Sequence, residues 1–268
     1  MKNKFIKHDE IKPKWFQKAN HTKHLPDTLY NSGLQLIDYF QKREKEKGIK
    51  VKAYLKDSAY GKEIILDKSR IFYYSDKRRK KYLWIFNQVK RQAQEFIANN
   101  TIIEKPKYPT ILYNNKFSLK EDETIAWTDI DDAYWYIAKN IELINNRLFY
   151  QVLIIEEDES IVKEIRNAAL ANLGSDKTYE EVEDMIYTGN RIIFKCDPKL
   201  KTIHNNIVNT CCEIMYNLSI MLGDDFKEYK TDEITYKRTK NNVKLVNDYI
   251  KKQNLLCTNT YERKKKAN

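Results

Sequence analysis

The sequence predicts an α+β fold: an antiparallel sheet covered by helices, with a helical and mixed, basic N-terminal region ahead of it. Short apolar or alternating runs at 50–54, 63–66, 71–74, 111–113 and 124–131 read as strands. Longer segments with apolar residues at helical spacing separate them. The second half then runs in a distinctive order: a strand ending in an aspartate, two helices, a hairpin with an aspartate at its turn, and a last helix.

Bulk composition bounds the function. With 268 residues, 41% hydrophobic and 32% charged, the chain can bury a substantial core. Its apolar runs are too short for a membrane span, and the first ten residues, MKNKFIKHDE, have no apolar signal core. The expected setting is therefore cytoplasmic, with no membrane partner. Cys196, Cys211, Cys212 and Cys257 form no C-x-x-C pair and the chain has four histidines, so reduced core thiols are expected rather than a structural zinc site. There is no G-x-x-x-x-G-K-[ST] loop, six glycines leave no room for a dinucleotide fingerprint, and no histidine has the context of a hydrolase triad.

Net charge is +11, unevenly spread. Residues 1–120 hold 28 Lys and Arg against 12 Asp and Glu, a surplus of 16. Residues 121–190 hold 5 against 17, a deficit of 12, and residues 191–268 hold 16 against 9, a surplus of 7. Basic flanks around an acidic middle fit a polyanion-binding surface around a cation-binding centre, or equally solvated helix faces.

Along the chain, residues 1–28 read as an irregular arm with Pro13 and Pro26, followed by a helix whose apolar face includes Leu29, Leu34, Ile37 and Phe40 and which ends at Gly48. From Ser75 or Asp76 the spacing of Tyr82, Ile85, Phe86, Val89, Ala93, Phe96 and Ile97 predicts an amphipathic helix. Its first turn is Lys77, Arg78, Arg79, Lys80 and Lys81. Cations there oppose the helix dipole, so these five, with Arg91, are candidates for nucleic-acid phosphate contact or plain solvent exposure. Trp15 and Tyr74 are further candidates for base stacking. The stretch with Pro106 and Pro109 predicts a linker, dividing a basic region 1–110 from a domain at 111–256, with 257–268 a frayed basic tail. Helices are expected from Ala133, over 160–174 with Gly174 as C-cap, over 204–222 stopped by Gly223, and over 240–253; residues 226–236 read as a hairpin turning near 231–233.

That hairpin and the strand before Ala133 bring two distant carboxylates onto neighbouring strands in the palm domain of nucleotidyl-transfer enzymes. The chemistry requires carboxylates to hold divalent cations beside an attacking hydroxyl and a triphosphate. D-I-D-D-A-Y-W at 129–135 resembles motif A of the family B DNA polymerases, D-x-x-S-L-Y-P. Asp132 stands at the family's serine and Trp135 at its proline. K-E-I-R-N at 163–167 is similar to motif B, K-x-x-x-N-S-x-Y-G, with Ala168, Leu170 and Ala171 at the Ser, Tyr and Gly. Y-K-T-D-E at 229–233 resembles motif C, Y-x-D-T-D-S, with Lys230 in place of the first aspartate. The chain is also similar to uncharacterised phage proteins carrying D-x-D-x-A-Y-W and then G-D-D-F, here 223–226.

The resemblance covers about residues 123–250 and implies a palm-like fold. It implies Asp129 and Asp232 as catalytic ligands of Mg²⁺ or Mn²⁺, and Lys163 as the catalytic cation on the triphosphate. Tyr134 would lie under the incoming sugar and Asn167 beside the nascent base pair. It also implies nucleic acid as partner, DNA rather than RNA, in an infected bacterial host or in the virion.

Other readings stand beside this one. Asp131 and Asp132 suit helix capping ahead of Ala133, where a carboxylate stabilises by a few tenths to about 1 kcal/mol. Asp232 suits an ordinary turn, as do Asp224 and Asp225. A non-catalytic nucleic-acid-binding or virion protein on the same scaffold, interacting with other phage proteins, and a metal-dependent nuclease both remain open.

Overall fold

The structure, a computed structural model, describes residues 3–6, 34, 37–38, 41–42, 45–46, 48, 52–58, 61–66, 69–73, 81–183 and 186–263. It shows the α+β class, in two compact units: residues 1–84 with 174–198, and residues 85–173 with 199–268.

The first unit holds a six-stranded sheet in the order β1-β8-β7-β2-β3-β4. Its strands are β1 (Asn3–Ile6), β2 (Ala53–Ser58), β3 (Gly61–Leu66), β4 (Ser69–Tyr73), β7 (Lys177–Glu183) and β8 (Ile186–Phe194). β1 joins β8 in parallel and the other neighbours pair antiparallel. β2 and β3 form a hairpin, and β2 takes β7 on its other edge, Ala53 opposite Val182. Ala53, Leu55, Ile64, Tyr179 and Val182 are buried, with the Tyr179 ring edge-on to Phe194 at 5.2 Å.

The second unit holds an antiparallel sheet in the order β11-β6-β10-β9-β5. β5 is Ile111–Tyr113, β6 Thr124–Ile130, β9 Phe226–Lys230, β10 Glu233–Lys237 and β11 Cys257–Arg263. Among the described residues its helices are α1 (Trp84–Asn99), α2 (Ala133–Asn140), α3 (Asn146–Leu153), α4 (Glu159–Gly174), α5 (Pro198–Leu222) and α6 (Lys240–Lys252). No helix among the described residues is long and apolar enough to cross a membrane.

Sequence chemistry accounts for these elements. Asn145 caps α3 by accepting from Leu148 N at 2.8 Å, and Thr239 caps α6 by accepting from Asn242 N at 3.0 Å. Ile203, Ile207, Cys211, Ile214 and Leu218 form one buried stripe on α5. β6 alternates, so Ala126, Thr128 and Ile130 are buried on one face while Trp127 and Asp129 fall on the other. On the Thr128 face a polar chain crosses three strands. Tyr236 Oη lies 2.8 Å from Thr128 Oγ1, which donates to Asn259 Oδ1 at 2.6 Å, and Asn259 Nδ2 donates to Asn247 Oδ1 of α6 at 3.1 Å. Asn217 of α5 donates to the Tyr249 hydroxyl of α6 at 3.0 Å, so these two helices share that side of the unit.

Four expectations need correcting. The division does not follow 110 and 257: the acidic segment after Gly174 forms β7, and with β8 it completes the first unit's sheet. The segment carrying Pro106 and Pro109 is not a linker. Asn206 grips it from α5, accepting from Lys105 N at 2.8 Å and donating to Ile103 O at 2.7 Å, and the Tyr229 hydroxyl donates to Pro109 O at 2.8 Å. The expected frayed tail is, through Arg263, the edge strand β11, paired along the whole of β6. Finally, α5 starts at Pro198 rather than His204, proline being well suited to a first helical turn.

Candidate active site

The carboxylates in question are positioned by strand register. β6 and β10 pair antiparallel with Asp129 opposite Glu233, and Ile130 N donates to the carbonyl of Asp232 at 3.0 Å. Asp129 therefore ends one strand where Asp232 begins the next, although 103 residues separate them (232 − 129).

The hairpin turn is Thr231–Asp232. Thr231 has φ +51°, a left-handed conformation that a β-branched residue rarely takes. Holding it costs on the order of 1–3 kcal/mol. What holds it is local: Thr231 N donates to Thr110 O at 2.8 Å, and Cys211 Sγ donates to Thr231 O at 3.6 Å. The Thr231 hydroxyl lies 2.8 Å from both Lys230 O and Asp232 Oδ1, orienting that carboxylate.

The two carboxylates lie close enough to feel each other's charge. The Asp129 carboxyl is pushed up to about 6, first by burial and then by the negative charge of Asp232. Lys163 of α4 opposes the rise, while Asp131 and Glu233 add to it. Burial, followed by the charges of Cys211, Asp232 and Cys212, makes the Tyr134 hydroxyl much harder to ionise. Burial, then Asp232, pushes the Cys211 thiol up as well, so α5 underlies the turn. Asp129, Asp232, Lys163 and Tyr134 are thus brought into one neighbourhood.

The flanking aspartates depart from the capping expectation. Asp132 occupies the N-cap position of α2 but has φ +47°, and its side chain accepts nothing from the helix amides; only its carbonyl does, from Trp135 N at 2.8 Å and Tyr136 N at 3.1 Å. The left-handed backbone aims its carboxylate at α4 instead, where it forms an ion pair with Arg166, a side chain only 3% exposed. Lys163 Nζ stands 4.0 Å from the same oxygen. Asp131 accepts a hydrogen bond from Thr258 Oγ1 of β11 at 2.9 Å, and its amide donates to Leu256 O at 3.0 Å. Neither carboxylate caps.

Arg166 was not among the expected site residues. The signal was available: it falls on the buried stripe of α4 with Val162, Ile165, Ala169 and Leu173, where a cation is costly unless paired. The neighbouring Asn167 is half-buried, and its Oδ1 accepts no hydrogen bond among the described residues. Lys230, at the first aspartate of motif C, points elsewhere, 3.1 Å from Glu228 and over the Tyr113 ring. The aspartates of G-D-D-F lie in a 3₁₀ turn, Gly223–Asp225, and Asp225 accepts from Asn242 Nδ2 at 2.9 Å, apart from the carboxylate pair.

Of the expected nucleic-acid contacts, Lys77, Arg78, Arg79 and Lys80 lie outside the described residues, as do Trp15 and Tyr74. Lys81 is exposed, with its Nζ 5.2 Å from the Tyr82 ring centre. Arg91 is exposed on α1 but shared with Gln88 at 2.8 Å and Glu95 at 3.6 Å.

As for a metal, the described residues hold no cluster of three or more His, Cys, Asp or Glu side chains arranged to hold an ion. The donor set is a pair, Asp129 with Asp232. It suits a hard cation that keeps water and substrate oxygens in its remaining positions, and mutual repulsion that raises Asp129 is what such a cation would relieve. No protein-family model matches the chain, and no curated protein is similar to it.

Proposed function

We propose that the second unit is a palm-like nucleotidyltransferase domain, acting on a nucleic-acid strand with Mg²⁺ or Mn²⁺. The observation that carries this reading is the juxtaposition of Asp129 and Asp232 at adjacent strand ends, with Lys163 opposing their combined charge. Asp129 and Asp232 would hold the cation, which when bound supplies charge neutralisation for a triphosphate and an attacking hydroxyl. Lys163, exposed and reaching towards Asp132 and Asp129, is free to swing to a phosphate. Tyr134 keeps its proton and offers a neutral ring and hydroxyl beside Asp232, suited to a sugar face. The Arg166–Asp132 pair would anchor the junction between β6, which carries Asp129, and α2, which carries Tyr134. In this reading the partner is DNA, bound with help from the basic N-terminal half, in an infected bacterial host.

Primer extension and terminal transfer with Mg²⁺ or Mn²⁺ test the proposal, comparing the parent protein with Asp129→Ala. Incorporation that disappears in the variant is expected; activity of equal size in both would overturn the assignment. A second reading, a non-catalytic nucleic-acid-binding protein on the same scaffold, is favoured by Lys230, whose side chain is committed to Glu228 where motif C has an aspartate. It predicts oligonucleotide binding without incorporation under any divalent ion. Degradation of the labelled primer in place of extension would instead identify a nuclease.

A further inference from the structure

We propose that an open cleft between the start of α6 and the outer end of β11 is a separate binding site for single-stranded nucleic acid. Arg238, Lys240, Lys244, Asp248 and Tyr261 are among the residues that line it. It is remote from the carboxylates. Thr124, one of its lining residues, is five residues along β6 from Asp129, about 17 Å at roughly 3.4 Å per residue, and alternation puts the two on opposite faces of the sheet. The assignment therefore does not rest on the catalytic reading.

Charge is the first reason. Three cations face one carboxylate, and among the described residues none of the three is ion-paired, whereas nearby Lys237 pairs with Glu123 and Lys230 with Glu228. The two lysines of the cleft are placed against the helix's own electrostatics. Lys240 and Lys244 repel each other one helical turn apart, and Lys240, in the first turn of α6, also opposes the helix dipole. Cations held against both effects are explained by an anion that lies across them.

Shape and chemistry narrow the anion. Lys240 and Lys244 are spaced about 6 Å along the helix, and Arg238 precedes them, so the positive charge forms a row rather than a single cradle. A row suits successive phosphates of a polymer better than one small anion. Beside it the Arg238 guanidinium lies over the Tyr261 ring, 4.1 Å from its centre, and Tyr261 is 43% exposed. The stacked guanidinium is pre-organised for phosphate oxygens, and the pair extends into a platform on which an unpaired base can stack. A cationic row alone would serve any polyanion; the aromatic platform selects a strand with accessible bases.

The test is fluorescence anisotropy of a labelled oligothymidylate of about 20 nucleotides, in EDTA so that no divalent-ion chemistry contributes, from about 50 to 200 mM salt. Arg238→Ala/Lys240→Ala/Lys244→Ala is expected to reduce the slope of log affinity against log salt by about 2, three phosphate contacts at about 0.7 each. Tyr261→Ala is expected to weaken binding about 5- to 150-fold, the loss of one stacked base, and Tyr261→Phe to restore it. Thermal melts confirm that the variants fold. Parent-like affinity and salt slope in the triple variant would overturn the site. So would a parent that binds no oligonucleotide, or equal loss of heparin and oligonucleotide binding with no response to Tyr261→Ala.

Discussion

Ile130 donates its amide hydrogen to the carbonyl of Asp232 at 3.0 Å, locking the end of β6 to the turn that opens β10. The bond ties the chain neighbour of Asp129 to Asp232 itself, so the spacing between the two candidate residues is a property of the backbone ladder. Side-chain substitutions at the site are therefore expected to change its charge before they change its shape.

The charge at Asp129 makes stability depend on pH. Its carboxyl titrates at about 6 in the folded protein against an ordinary value of 3.8. The folded state binds more protons than the unfolded chain between those values. The contribution is thus fully present below about pH 4 and is lost as pH rises through about 6. Asp129→Asn removes that loss: a gain of about 1 kcal/mol at pH 7.5, after allowance for solvent screening, and no gain near pH 4. Urea melts of both proteins at the two pH values check this.

Divalent cations are expected to relieve the same repulsion. Mg²⁺ or Mn²⁺ raises the melting temperature of the parent protein, by the equivalent of about 2.7 kcal/mol at a hundredfold excess over the dissociation constant. The rise is absent in Asp129→Asn/Asp232→Asn and is reversed by EDTA. Scanning calorimetry with and without the ion measures it.

The Arg166–Asp132 pair is expected to behave as a buried ion pair. Arg166→Met leaves the Asp132 carboxylate with only the more distant, exposed Lys163 as counter-charge and destabilises by about 3 kcal/mol. Replacing both residues together, Arg166→Met with Asp132→Asn, costs clearly less than the single change. Chemical denaturation of the two variants provides the comparison.

Thr231 carries backbone strain that asparagine tolerates better. Thr231→Asn is expected to stabilise by up to about 1 kcal/mol, with part of the gain offset by the lost hydroxyl near Asp232. Thermal melts give the sign. A loss of stability would show that the hydroxyl contributes more than the strain costs.

Much of the second unit was legible because its signals are local. β6 shows period-two alternation, the hairpin is marked by its turn, and α5 and α6 carry clear stripes, while the resemblance to palm motifs A and C is what implied neighbouring strands for Asp129 and Asp232. Asp132 was misread for an equally local reason: an aspartate before a helix usually caps it, and only the left-handed backbone turns this one towards Arg166. Arg166 hid in an apolar stripe, where helical periodicity draws the eye to its neighbours. β11 escaped because T-N-T-Y-E-R lacks an apolar signature and is a strand only by pairing with β6. The division into units was the least visible feature, since pairing such as Ala53 with Val182 is invisible to any linear scan.

That last pairing governs how the protein can be cut. The β2–β7 ladder joins residues 129 positions apart (182 − 53), and four of the second unit's six described helices, α1–α4, lie between them in sequence. A fragment ending at residue 110 would keep β2 with a bare edge and lose the strands that complete its sheet, a state prone to aggregation. Excising 174–198 would likewise strip the first unit's sheet of β7 and β8, leaving β1 and β2 each short of a neighbour. The first unit is therefore assembled from two separate stretches of chain, and the amino-terminal half, taken alone, is not a domain.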